Sequence, residues 1–99
     1  MSGWLTVFLD LSREDHEPTL AFWRAVTGYE VSAPRGQHGQ FVTLLPPVGD
    51  AHLRVQRLDA GPSGIHLDVH VPDIADAAVR AADLGARVRE RSDDVVVLE

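Results

Sequence analysis

The chain carries one pattern twice, and that repetition limits the folds open to it. Leu5-Thr6-Val7-Phe8-Leu9-Asp10-Leu11 lies 60 residues before Ile65-His66-Leu67-Asp68-Val69-His70-Val71. Both segments alternate apolar with mostly polar side chains, the period-2 signature of a half-buried strand. A helical stretch follows each strand. Gly28-Tyr29-Glu30-Val31 then matches Gly85-Ala86-Arg87-Val88 at an offset of 57, so the first copy holds three more residues, around Ser12–His16. A surface turn absorbs such a difference. Strand phase, helix stop and spacing agree, which favours a duplicated strand-helix-strand unit over coincidence.

The first helix is placed from about Glu17 to Thr27. Pro18 is tolerated in a first turn, acidic Glu14, Asp15 and Glu17 suit the positive end of the helix dipole, and Gly28 stands where a helix stops. Leu20, Trp23 and Thr27 form one stripe that Phe22, Ala25 and Val26 widen, so Trp23 is expected in the core. Strands are expected at 29–31, 40–45 and 51–58, with a loop at 32–39 and a Pro-Gly turn at 46–50. After a linker at 59–64, the strand at 65–71 leads to Asp73, an N-cap candidate that Asp76 supports. Ile74, Ala77, Ala78, Ala81 and Leu84 follow at helical spacing until Gly85. Arg87-Val88-Arg89 and the unbroken apolar run Val95-Val96-Val97-Leu98 complete the pattern, the latter reading as a buried strand.

The expected fold is therefore α+β, with two βαβββ-type units in each of which a helix layer lies against one face of the strands. The apolar set Ile65, Leu67, Val69 and Val71 is expected to face that helix layer. All 99 residues make one domain: unit one at 1–58, the linker at 59–64 and unit two at 65–99. The second unit reaches only βαββ, because the counterpart of residues 51–58 would fall near 108–115. Its Leu98-Glu99 end reads either as native or as a cloning remnant. An open sheet edge there predicts a homodimer, with exchange of units between chains as a second arrangement.

Composition narrows the chemistry. Cysteine is absent, so a metal site would draw on His, Asp, Glu and neutral oxygens, a set suited to zinc, nickel, iron or manganese. A formal charge of −6 argues against nucleic acid as a partner, since phosphate binding needs a basic stripe. No apolar run reaches membrane-span length, and no basic-then-apolar leader opens the chain, which predicts a cytoplasmic protein with no membrane partner. All nine basic residues are Arg, a bias that matches GC-rich coding. No phosphate loop, nucleophile elbow or metalloprotease helix is present.

Strand alternation puts His66, Asp68 and His70 on one face, where they either converge on a ligand or simply face water. The matching faces are Trp4, Thr6, Phe8 and Asp10 on the first strand, and His52, Arg54 and Gln56 on the strand at 51–58. Aromatic walls with a few polar anchors make this a candidate cup for a small molecule. Arg54 could clamp a carboxylate or phosphate, or pair with a surface carboxylate of the chain. His16 and His38 are expected in solvated loops.

The order βαβββ-βαββ, with Ala21-Phe22-Trp23-Arg24-Ala25-Val26-Thr27-Gly28-Tyr29 closing the first helix and His66-Leu67-Asp68-Val69-His70-Val71-Pro72-Asp73-Ile74 opening the second unit, resembles the vicinal oxygen chelate superfamily. That group includes glyoxalase I, extradiol dioxygenases, fosfomycin-modifying enzymes and bleomycin-resistance proteins. The chain is most similar to its bacterial glyoxalase-like domains. The resemblance implies paired βαβββ units forming a curved mixed sheet, with a helix packed on the outer face of each unit, and metal ligands on the first and last strands of each. His66 matches the histidine of the second unit; Thr6 holds the equivalent first-strand position and is a poor ligand. Gln56 stands where metal-dependent members carry Glu. Two functions of different class follow from the resemblance. One is a metal-free binding protein with a resistance or sequestration role, its ligand engaged by Trp4 and Phe8. The other is a divalent-metal-dependent lyase or dioxygenase, its ion held by His66 and Gln56 with help from Asp68 or His70. A third reading has the cup filled by its own side chains.

Overall fold

A computed structural model describes residues 3–99. The order is β1 (Trp4–Leu11), α1 (His16–Thr27), β2 (Glu30–Val31), β3 (Phe41–Leu45), β4 (Leu53–Arg57), β5 (Gly64–His70), α2 (Ile74–Asp83), β6 (Val88–Arg91) and β7 (Val96–Leu98). This is the α+β sequence of a βαβββ unit followed by βαββ. The described residues divide into two compact units, one of residues 5–69 and one holding residues 70–99 with Gly3 and Trp4. Among the described residues no helix is long and apolar enough to cross a membrane.

The unit of residues 5–69 is built on a sheet of order β2-β3-β4-β1-β5. β1 runs parallel to β4, pairing Phe8 with Arg54, Leu9 with Val55 and Asp10 with Gln56. A parallel pair needs a crossover, which α1 supplies. β3 runs antiparallel to β4, pairing Phe41 with Gln56, Val42 with Val55 and Thr43 with Arg54. Leu11, Val42 and Val55 form a buried cluster, against which Leu9, Leu20 and Val31 pack. Leu20 lies in α1, so the helix covers this face and the residues of opposite phase line the other. Leu44 and Val55 are fully buried, each worth about 1.5–3 kcal/mol of apolar transfer.

Local chemistry fixes the ends of α1. Pro18 falls within the first turn, where a missing N–H leaves nothing unsatisfied. Asp15 makes no side-chain cap; it accepts instead from Ser63 Oγ at 2.6 Å, and Ser63 Oγ accepts from the Ser12 N–H at 2.9 Å. Gly28 closes the helix at φ 71°, a left-handed conformation in which a side chain would be strained. Leu20, Trp23 and Thr27 are half-buried as the stripe predicted, whereas Phe22, Ala25 and Val26 are exposed. The buried stripe is therefore narrower than expected, because the helix meets the sheet along one line of side chains.

In the unit of residues 70–99, Asp73 accepts from the Asp76 N–H at 2.9 Å, the expected N-cap. Ile74, Ala77 and Ala81 are half-buried and Ala78 buried, while Leu84 is exposed. Gly85 stops the helix at φ 110°. β6 and β7 pair antiparallel as a two-stranded sheet. Val95 and Leu98 are exposed, which corrects the expectation of a buried strand: an apolar run is buried only where both its faces are covered, and a two-stranded ribbon does not cover both.

A second correction concerns β5. Ile65, Leu67 and Val69 are 54–69% exposed, and the alternate residues His66, Asp68 and His70 are the less exposed set. The strand phase is as expected, but the apolar side is the open one.

Candidate ligand-binding face

The sheet face opposite α1 is assembled by register within residues 5–69. One row across the strands reads Thr43, Arg54 and Phe8, and the next reads Phe41, Gln56 and Asp10. β5 flanks β1 and adds His66 and Asp68. Six of the expected site residues thus share one face: Phe8, Asp10, Arg54, Gln56, His66 and Asp68. Thr6 lies on the same side of β1 and is fully buried. His52 is exposed, its Nδ1 3.0 Å from the Leu5 carbonyl, to which it donates. Trp4 and His70 belong to the other unit, where their rings stack at 3.7 Å and 8°.

Phe8 is the centre of the face. The His66 ring stacks on it at 4.5 Å and 7°, Phe41 meets it edge-on at 6.2 Å, and the Arg54 guanidinium carbon lies 6.0 Å over it. His66 is held between two carboxylates: its Nδ1 is 2.5 Å from Asp10 Oδ2 and its Nε2 is 3.5 Å from Asp68 Oδ1. An ionised carboxylate only accepts, so the Asp10 contact places the proton on Nδ1 and fixes the ring orientation. Exposure grades outward through this trio, from 18% for the Asp10 side chain to 39% for His66 and 47% for Asp68.

Two charged groups are left incomplete. Asp10 Oδ1 and Arg54 Nε are buried with no hydrogen-bond partner among the described residues. No carboxylate of the described residues lies within ion-pair distance of Arg54, so pairing with a surface carboxylate does not occur. A buried donor or acceptor left unpaired costs about 1–3 kcal/mol, more if charged.

Arg35 was missing from the candidates read in the sequence. It lies in the segment between β2 and β3, yet its backbone N–H donates to the Phe41 carbonyl at 2.8 Å and its carbonyl accepts from the Phe41 N–H at 3.0 Å. Gly36, at φ 94°, makes this tight return possible; a Cβ there would come within 2.5 Å of Gln40 Oε1. The anchored Arg35 side chain donates from Nη2 to Thr43 Oγ1. Phe41 was also missing. Its place in the 40–45 alternation, opposite Val42, was the one signal that put it on this face.

His16 is half-buried at the start of α1, contrary to the solvated loop expected. Burial first, and then the nearby Arg57 cation, hold its imidazole below the ordinary range. His38 is exposed.

Asp10 stands between Gln56 and His66 across the strands and orients His66 through its Nδ1, Gln56 is a neutral amide, and among the described residues no three His, Asp or Glu side chains are grouped to hold an ion. The same face holds the buried Phe8 ring with the oriented His66 imidazole stacked on it, and the Arg54 guanidinium with no ion-pair partner among the described residues. The family model described as glyoxalase-like domain matches residues 6–99, and the chain belongs to that family, within the vicinal oxygen chelate superfamily. No curated protein matches the chain.

Proposed function

We propose that this member of the glyoxalase-like family binds a small, flat organic anion on the face centred on Phe8, without a metal ion, in a sequestering rather than a catalytic role. The observation that carries this reading is Arg54: its guanidinium lies over Phe8, its Nε is buried, and no carboxylate of the described residues neutralises it. A planar guanidinium fork recognises a carboxylate in two-point fashion. Phe8 itself is buried, and the half-buried Phe41, edge-on to it, is the aromatic ring left for apolar contact.

The test is calorimetric titration with benzoate, run on protein purified without chelator, on chelator-treated protein and on Arg54→Met, with elemental analysis of the first sample. The reading expects saturable binding that chelation leaves unchanged and that Arg54→Met abolishes. Binding lost on chelation and restored by one equivalent of zinc, iron, nickel or manganese would overturn it in favour of a metal-dependent enzyme. Benzoate binding equal in Arg54→Met would overturn the assignment of Arg54.

A further inference from the structure

The two sides of Phe8 carry opposite charge. On one side Thr43 is the direct register partner of Arg54, so their side chains are neighbours on the same face. Arg35 donates to the hydroxyl of that same Thr43. Two arginines therefore neighbour one threonine, and neither has a carboxylate of the described residues within ion-pair distance. On the other side His66 is flanked by Asp10 and Asp68. Two carboxylates outnumber one imidazole, so this end is negative in either protonation state of His66.

We infer, building on the proposed binding of an organic anion, that the ligand is zwitterionic: its anionic group lies toward Arg35 and Arg54 and its ammonium group toward Asp10 and Asp68. A simple anion uses only half of this arrangement and brings its far end against the carboxylates. A simple cation meets the reverse conflict. Two strand spacings, about 10 Å, separate β4 from β5, a span that one six-membered ring with a charged substituent at each end bridges between side-chain tips. Arg35 is the specificity-determining addition, because it doubles the positive charge at the anion end. Its position depends on the backbone pairing with Phe41 and on Gly36.

Three probes of one ring size separate the ends: benzoate, benzylamine and 4-(aminomethyl)benzoate, each titrated into wild type, Arg35→Gln and Asp68→Asn. The zwitterion is expected to bind about tenfold more tightly than benzoate, the size of one charge-assisted contact at a partly exposed site. Arg35→Gln should weaken benzoate and the zwitterion about tenfold while leaving benzylamine unchanged. Asp68→Asn should weaken benzylamine and the zwitterion but not benzoate. Both substitutions lie at exposed positions, and unchanged urea midpoints would show that folding is preserved. Benzoate binding as tightly as the zwitterion, with Arg54 still required, would overturn the zwitterion and leave the anion site standing. Binding of none of the three probes would overturn both.

Discussion

Replacing Arg54 by methionine should make the free protein more stable while it removes ligand binding. Arg54 Nε is buried with no partner among the described residues, and relieving that deficit is worth about 1–3 kcal/mol. The loss on the other side is the cation–ring attraction to Phe8. At 6.0 Å this pair sits at the outer limit of such contacts, worth about 0.5–1 kcal/mol. Methionine keeps most of the unbranched stem, and its thioether packs well beside an aromatic ring. The balance is a gain of about 1 kcal/mol, or about 4–8 °C in Tm for a domain of this size. Urea denaturation followed by tryptophan fluorescence, paired with thermal melts, reads the change. Arg54→Lys is the control: it retains the charge but not the fork, so it should keep part of the benzoate affinity without the gain in stability. A drop of about 1 kcal/mol or more in Arg54→Met would refute the reasoning, because it would mean that Arg54 serves the fold through a partner of its own.

Two other expectations follow from local structure. Asp73→Ala removes the acceptor of the Asp76 N–H and should lower stability by about 0.5–2 kcal/mol; hydrogen exchange at the Asp76 amide should rise sharply, and unchanged protection there would count against the cap. His16 is held below the ordinary imidazole value of about 6.5 by burial and by Arg57. The unfolded chain therefore takes up a proton that the folded chain resists. Its contribution is a loss of stability that begins as pH falls through about 6.5 and is complete below the folded-state value. His16→Gln should flatten that part of the profile, as measured by urea midpoints between about pH 7.5 and 5; parallel profiles for the two proteins would contradict the assignment.

What the sequence makes legible is phase. Alternation alone places Phe8 with Asp10, Arg54 with Gln56 and His66 with Asp68 on common faces, and the repeat supplies the order of elements. Helix ends are equally readable, since Gly28 and Asp73 act through neighbours only a few residues away. Coverage is not legible in this way. Ile65, Leu67 and Val69 announce an apolar side, but alternation does not say whether another surface lies on it, and that side of β5 is exposed. Arg35 escaped because its role comes from tertiary folding: a loop arginine gains a place on the face only when Gly36 turns the chain and the Phe41 backbone captures it.

On the proposed reading, the register also explains how a glyoxalase-like fold can carry an anion site. Family membership fixes the strands and leaves the side chains on them free to change. Here Gln56, where the resemblance implies an acidic ligand, lies beside Asp10 on the parallel neighbour, and Asp10 in turn engages His66. Asp10 thereby orients an imidazole, with its second oxygen unpaired among the described residues. On the far side of Phe8 the positive charge of Arg54 is reinforced by Arg35 and answered by no acidic side chain of the described residues. On the proposed reading, the two flanks of opposite charge are completed by a ligand. A single cation between His66 and Gln56 would satisfy the acidic flank and do nothing for the guanidinium pair, whereas a molecule with opposite charges at its two ends satisfies both.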